Sequence, residues 1–201
     1  MEFGPEVTLN DPAFIHDTVC IYGRATVHEG ASLWPYAVLR GEFYEIEIGA
    51  YTNIQDFVMI HVGSSTPTRI GAYCSITHHC TIHGATIGDN CLIGINATIM
   101  DGCVIGDNCT VAGGAFLPEN TVVPDNSIVM GMPGKVKRVA NGWVKNRFNA
   151  FLYHRNAMAY ARGEHREWAS DAFNQAAAEE LRRLNAEFAA EFGKESAEAS
   201  D

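Results

Sequence analysis

Aliphatic side chains recur in this chain every six residues. Ile15, Ile21, Val27, Leu33 and Leu39 open the series, and Ile48, Ile54, Ile60, Ile70, Ile76 and Ile82 continue it. After a five-residue step it runs through Ile87, Ile93, Ile99, Ile105, Val111, Leu117, Val123 and Val129. Neither the 3.6-residue period of a helix nor the alternation of a half-buried strand produces such a run, so the chain is built from an internal repeat. A second track, four residues after each mark, holds mostly small side chains: Ala25, Ala31, Ala37, Thr52, Cys74, Cys80, Cys91, Ala97, Cys103, Cys109, Ala115, Thr121 and Ser127. One large and one small inward residue in every six is what a narrow triangular prism requires. Glycine follows the aliphatic at Gly49, Gly71, Gly88, Gly94 and Gly106, where we expect the positive φ of a tight corner.

The pattern resembles the hexapeptide-repeat family. That resemblance implies an all-β left-handed parallel β-helix with three repeats to a coil, a handedness opposite to the usual crossover rule. The beat is broken at three places. Leu39 to Ile48 has about three extra residues near 41–45, Ile60 to Ile70 has four within 63–68, and Ile82 to Ile87 is one short. Insertions in a solenoid map to its corners. After Pro133-Gly134 the beat ends, and from about Gly142 the spacing of Ala150, Tyr153, Ala157 and Tyr160 is helical. A second helix is expected over 170–192, capped by Ser170, with one apolar stripe of Phe173, Ala177, Leu181, Leu184, Phe188 and Phe192. The expected organisation is a β-helix domain over 1–136 and C-terminal α-helices within 137–201, with a disordered end from Gly193.

Hydrophobic residues make up 47% of the chain, enough for a sizeable core. A formal net charge of -10 argues against nucleic acid or an anionic membrane as partner. No apolar window is long enough to span a bilayer, and the start lacks the basic and apolar regions of a signal peptide. Six cysteines occur with no C-x-x-C pair, and five of them fall on the small-residue track. Buried free thiols suit a reducing compartment, so a cytoplasmic location is expected.

With the beat as a ruler, eighteen residues make a coil. His61 and His83 each follow a marked aliphatic, and their separation of 22 less the four inserted residues is 18. They therefore stack at one corner of adjacent coils, about 4.8 Å apart, with Arg40 one coil below His61. His78 lies at the preceding corner, above Asp56, with Asn53 and Gln55 close by. Two corners of one prism stand on the order of 15 Å apart, whereas zinc takes its nitrogens at about 2.0–2.1 Å. One metal can reach all three histidines only if His78 comes from a neighbouring subunit, and a three-fold ring of subunits supplies this. His16, His28, His79, His154 and His165 read as surface residues.

Several segments resemble the γ-class carbonic anhydrases and their close relatives. They are L-R-G-E from Leu39, I-G-A-Y-T-N-I-Q-D from Ile48, I-H-V from Ile60, H-H-C-T-I-H-G from His78, I-G-I-N-A from Ile93 and G-M-P-G-K-V from Gly131. The helical spacing A-x-x-Y-x-x-x-A-x-x-Y also fits, and the resemblance covers about residues 10–162. It implies a homotrimer with His61, His78 and His83 as ligands of zinc, iron or cobalt. Arg40 would form an interface salt bridge, Asn53, Gln55 and Asp56 would line the site, and Tyr153 would reach it from the helix. Two features depart from the family pattern. Glu42 stands where the family has aspartate, and the 63–68 insertion lacks the acidic residues of the archetypal enzyme.

Three imidazoles leave zinc an open position, where water ionises near pH 7, carbonic anhydrase being the reference case for that value. The expected reaction is hydration of carbon dioxide, a small-molecule substrate. Gln55 would orient the hydroxide, Asn53 would steady an oxyanion, and Asp56 would help to hold Arg40. The alternatives are hydrolysis of CoA thioesters, as in PaaY-like relatives, with the tail after Gly163 shaping the pocket; acyl transfer, which needs no metal; and an inactive assembly subunit.

Overall fold

A chain with one aliphatic residue in every six can bury them all only by winding them around a single axis. The computed structural model, which describes residues 3–193, shows this winding. Short parallel strands stack into three faces of a prism of about seven turns. The first face comprises Phe14–Ile15, Ser32–Leu33, Asn53–Ile54, Ser75–Ile76, Leu92–Ile93, Thr110–Val111 and Ser127–Met130. The second includes Met59–His61, Thr81–His83, Thr98–Ile99 and Phe116–Leu117. The third includes Thr68–Ile70, Thr86–Ile87, Val104–Ile105 and Val122–Val123. An early strand, Val7–Leu9, pairs with Ala25 to Val27 and starts the winding before the repeat is visible.

Of the nineteen marked aliphatics, all but the half-buried Ile15 are buried. Each such side chain contributes about 1.5–3 kcal/mol of apolar burial. The small-residue track also points inward, and only Thr121 on it is partly exposed.

The glycines correct an expectation. Gly49, Gly71, Gly88, Gly94 and Gly106 do not have positive φ. The left-handed residue of each turn lies two positions later, for example at Tyr51, Tyr73, Asn90, Asn96 and Asn108. The glycines are needed for close approach instead. A Cβ on Gly49 would lie 2.4 Å from the Gly71 carbonyl carbon, and one on Gly71 would lie 2.3 Å from Asp89 Oδ1. Where the left-handed residue is bulky, which is unusual, stacking from coil to coil accompanies it. The rings of Tyr36, Phe57 and His79 form one column, with centroids 5.0 and 4.9 Å apart, and Tyr51 stacks on Tyr73 at 5.2 Å.

The insertion near 41–45 is not a separate loop. Val38–Ile48 is one strand that turns from the second face to the third, and it pairs with the similarly bent strand Cys20–Val27 through an irregularity at Gly23 to Ala25. The second insertion does form a loop beside His61, closed by the Gly63 N–H donating to the Thr66 carbonyl.

After Met130 the chain reverses, and Lys135–Val139 adds an antiparallel strand to the first face. The boundary expected at 136 falls inside this strand. Helix α1 (Trp143–Ala161) then lies across the first face. Polar pins hold it there. Asn146 Nδ2 donates to the carbonyls of Asn90 and Cys109, both at 3.0 Å, and Asn149 Nδ2 donates to Ser75 Oγ at 2.8 Å. Helix α2 (Asp171–Phe192) is capped as expected, Ser170 Oγ accepting from the Phe173 N–H at 3.0 Å. Phe173 and Leu184 are buried, Phe188 and Phe192 pack against Trp143, and Leu181 remains 38% exposed. The disordered end was expected from Gly193; Gly193 closes α2 as its C-cap, and the rest of that expectation lies outside the described residues.

Five of the six cysteines are buried. Burial pushes the Cys80 thiol up to about 11 and raises that of Cys103. Native-state labelling by a thiol reagent should therefore be slow at these positions, since the thiolate is the reactive form. The folded chain keeps protons that the unfolded chain loses above about pH 9, so these thiols should lower stability as pH rises beyond that point. Rapid native labelling of several cysteines would contradict the packing.

Candidate metal centre

Strand register brings the histidines where the repeat places them. His61 pairs laterally with His83 on one side and Arg40 on the other. His61 Nδ1 lies 2.9 Å from His83 Nε2, with ring centroids 4.8 Å apart. The outer nitrogen of each ring is held by a carboxylate. His61 Nε2 is 3.0 Å from Glu42 Oε2, and His83 Nδ1 is 2.8 Å from Asp101 Oδ2.

These carboxylates decide the tautomers. An ionised carboxylate only accepts, so the outer nitrogens carry the protons and donate. In neutral imidazoles the two inner nitrogens then present bare lone pairs to each other. At this separation such a pair repels unless a cation sits between them. Two zinc–nitrogen bonds of about 2.0–2.1 Å at a tetrahedral angle would place the nitrogens roughly 3.3 Å apart. A few tenths of an ångström of ring movement converts the one arrangement into the other, so the residues fit a metal.

His78 lies at the preceding corner, in the turn after Ser75–Ile76. Its Nδ1 is 3.0 Å from Asp56 Oδ2, again leaving Nε2 free of the carboxylate. Among the described residues, no three His, Cys, Asp or Glu side chains converge for a metal within one chain. His79 is exposed and turned away into the stack with Phe57.

The remaining expected site residues fall around these two corners. Arg40 Nη1 donates to Glu42 Oε1 at 2.6 Å, within its own chain. Glu42 thus bridges Arg40 and His61. Desolvation opposes ionisation of Glu42, but hydrogen bonds from Arg40 and His61 outweigh it and hold the carboxyl below its usual range. Asn53 and Gln55 are buried. Gln55 Nε2 donates to Asn53 Oδ1 at 2.9 Å, while Asn53 Nδ2 donates to the Cys74 carbonyl at 3.2 Å and to Ser75 Oγ at 2.9 Å. The Asn53 amide is therefore engaged on both sides and fixes the orientation of Gln55. Tyr153 reaches this corner from α1, edge-on to Trp34 and Trp168. Burial, and then the charge of Asp56, push its phenol up to about 12, so it stays a neutral donor.

A cavity of about 290 Å³ opens beside His78, lined by Asp56, Trp34, Tyr153, Tyr160, His165 and Trp168 among others. The two tryptophans were not among the expected site residues. Nor was Asp101, which the short step after Ile82 puts one residue out of register with His83.

Coils of six-residue repeats stacked into a prism, with helices after them, define the hexapeptide-repeat β-helix proteins. The family model described as "Bacterial transferase hexapeptide (six repeats)" matches residues 84–119. The structure resembles that of a hexapeptide transferase family protein from Anaplasma phagocytophilum, with a TM-score of 0.69, 30% identity, and coverage of 78% of this chain and 92% of that one. It also resembles a putative acetyltransferase of Bacillus cereus, with a TM-score of 0.70, 27% identity, and coverage of 77% and 88%.

In sequence, the chain is 57% identical over 118 residues to a probable carbonic anhydrase of Methanocaldococcus jannaschii, covering 59% of this chain and 74% of that protein. It is 32% identical over 142 residues to the mitochondrial gamma carbonic anhydrase 2 of Arabidopsis thaliana, covering 68% of this chain and 51% of the plant protein. The match thus spans about three quarters of the archaeal relative and about half of the plant one. The chain belongs to the γ-class carbonic anhydrase family.

The carboxylates behind the histidines should matter for affinity. Asp101→Ala, which removes the acceptor behind His83 Nδ1, is expected to weaken metal binding by about 10- to 100-fold, the usual cost of losing the hydrogen bond that orients a metal-binding histidine. An unchanged affinity in a metal-buffered titration would contradict the tautomer argument.

Proposed function

We propose that this chain is a metal-dependent carbonic anhydrase that acts as a homotrimer. His61 and His83 of one subunit and His78 of the next would hold zinc, with iron or cobalt equally compatible with imidazole ligands. The observation that carries this reading is the 2.9 Å approach of His61 Nδ1 to His83 Nε2, with a carboxylate against the outer nitrogen of each ring. His78, with the same kind of backing from Asp56, supplies the third nitrogen from another corner. A metal held by three imidazoles offers one open position and the Lewis acidity that lets water react with carbon dioxide near neutral pH.

The surface supports assembly. Tyr36 and Phe57 are 54% and 51% exposed beside His78, and Val38, Met59 and Phe116 on the second face are only partly covered. A three-fold axis along that face would cover this apolar area and bring the two histidine corners together. The lateral partners then divide the work. Gln55, fixed by Asn53, turns its Oε1 as acceptor toward the reacting water. Tyr153 offers a phenolic donor from the neighbouring wall. Glu42, one methylene longer than the family aspartate, reaches His61 while it holds Arg40.

Stopped-flow hydration of carbon dioxide tests the proposal, on protein purified anaerobically with its metal quantified. The rate should scale with metal content. It should fall to that of the buffer in His61→Ala, His78→Ala and His83→Ala, and by about 100-fold in Gln55→Ala, the lower end of what losing one preorganised hydrogen bond costs. A metal-loaded trimer no faster than buffer would refute it.

The aromatic cavity beside His78 favours a second reading, hydrolysis of a CoA thioester at the same centre, since carbon dioxide needs no space of that size. Trp168→Ala would then abolish thioester hydrolysis while leaving metal content unchanged. Absence of any thioester turnover in the metal-loaded wild type would eliminate this reading.

A further inference from the structure

The opposite edge of α1 holds a second cavity with a different chemistry. Tyr51 and Tyr73 occupy the turns that enter the first face, whereas Asp56 and His78 occupy the turns that leave it. Between that entering corner, α1 and α2 lies a space of about 310 Å³, lined by Tyr51, Tyr73, Arg147, Phe151, His154 and Arg183 among others.

Arg147 is the informative residue. Its guanidinium lies 3.3 Å from the Tyr73 ring centroid and 5.8 Å from that of Trp143. Three arginines are half-buried, and two of them have acidic partners: Arg40 with Glu42 and Arg155 with Glu167. The Arg147 guanidinium has no carboxylate or hydrogen-bond partner among the described residues. A guanidinium held over a ring spends its face on the aromatic system and keeps its edge N–H groups for an acceptor in its own plane. The other charged residues lining the cavity, Arg183 and Glu180, pair with each other, and Arg183 pairs with Glu187 as well. Arg183 donates to both oxygens of Glu180, at 2.8 and 2.6 Å. One positive charge is left without an acidic partner, in a chain whose formal net charge is -10.

The rest of the wall is aromatic. Tyr51 stacks on Tyr73, His154 meets Tyr51 edge-on at 4.9 Å, and Phe151 completes the lining. His154 Nδ1 donates to the Gly30 carbonyl at 3.0 Å, which fixes the ring. The adjoining cavity, which shares Tyr51 and His154, is lined by Asp11, Glu29 and an Arg162 that is paired with Glu164 at 2.8 Å. Two acids there would repel an anion and the arginine is already paired, so the Arg147 end is the seat that favours negative charge.

We propose that this cavity binds a planar aromatic oxyanion, with its carboxylate or phosphate in the edge of the Arg147 guanidinium and its ring against Phe151 and Tyr51. The site is separate from the histidine corners and does not depend on the reaction proposed for them. It does depend on α2, which supplies Arg183 and Glu180.

Calorimetric titration of the metal-loaded full chain tests this, with benzoate, phenyl phosphate, inorganic phosphate and cyclohexanecarboxylate as probes. Any binding at the metal is common to wild type and variants, so the difference between them isolates the cavity. Benzoate or phenyl phosphate should bind at least tenfold more weakly to Arg147→Gln, which is about 1.4 kcal/mol. Arg147→Lys should lie between, because a point charge replaces a planar fork. The stronger of the two aromatic probes identifies the anionic group. Inorganic phosphate and cyclohexanecarboxylate should bind more weakly than their aromatic counterparts. Phe151→Ala, which leaves Arg147 in place, should weaken the aromatic probes alone, and it provides the test should Arg147→Gln not fold. Identical titrations in wild type and Arg147→Gln, no binding by either aromatic probe, or equal affinity for flat and non-planar rings would overturn the proposal.

Discussion

The interior of the prism admits one large aliphatic and one small side chain per repeat, and this restriction sets the positions of everything outside it. Because Ile60 and Ile82 must occupy the same face, Met59–His61 and Thr81–His83 pair in one register only. A slip of one residue would turn the isoleucines to solvent and the histidines inward. The separation of His61 and His83 is therefore fixed by burial of their neighbours, and the core supplies the rigidity that a metal centre needs. The same constraint explains the irregularities. Extra residues cannot enter a face, so they bend a strand around a corner at 41–45 or form a loop at 63–68. Both lie beside His61.

Electrostatics then adds what packing cannot. Two adjoining imidazoles could adopt several tautomers, and only one set leaves both inner nitrogens bare. Glu42 and Asp101, on opposite sides of the pair, select that set by accepting from the outer N–H groups. The acids also raise the basicity of the rings they hold. Asp56 stands in the same relation to His78. Each proposed ligand thus has its own carboxylate, and the three come from separate coils. Glu42 also carries Arg40, so the longer side chain at that position serves two partners at once.

Much of this was legible in the sequence, for a physical reason. Rules that act through spacing were readable: the aliphatic ladder, the stacking of His61 on His83 over Arg40, the His78–Asp56 relation and the Ser170 cap. Features that depend on how a particular atom meets the next coil were not. The glycines at 49 and 71 looked like left-handed corner residues, but their hydrogens face the backbone or an aspartate of the adjoining coil. The left-handed positions fell to Tyr51, Tyr73 and Phe57, whose coil-to-coil stacking no single-repeat rule reveals. Asp101 was missed because the short step after Ile82 shifts the local phase. The role proposed for Arg147 rests on its guanidinium having no acidic partner among the described residues, which only packing makes visible. The pinning of α1 by Asn146 and Asn149 likewise escapes a reading that looks for apolar stripes.

If the centre is shared between subunits, two different broken chains must be able to repair each other. Trimers made from His78→Ala alone or His83→Ala alone lack one ligand at every interface. In mixed trimers, an interface that takes His61 and His83 from the first variant and His78 from the second is complete. Random mixing of equal amounts makes about one interface in four complete in a closed three-fold ring. Metal per trimer, measured at buffered free zinc alongside native mass spectrometry to confirm mixing, should rise from near zero in each parent to about a quarter of the wild-type content in the mixture. Full metal content in either parent, or none in verified mixed trimers, would contradict a site built from two subunits.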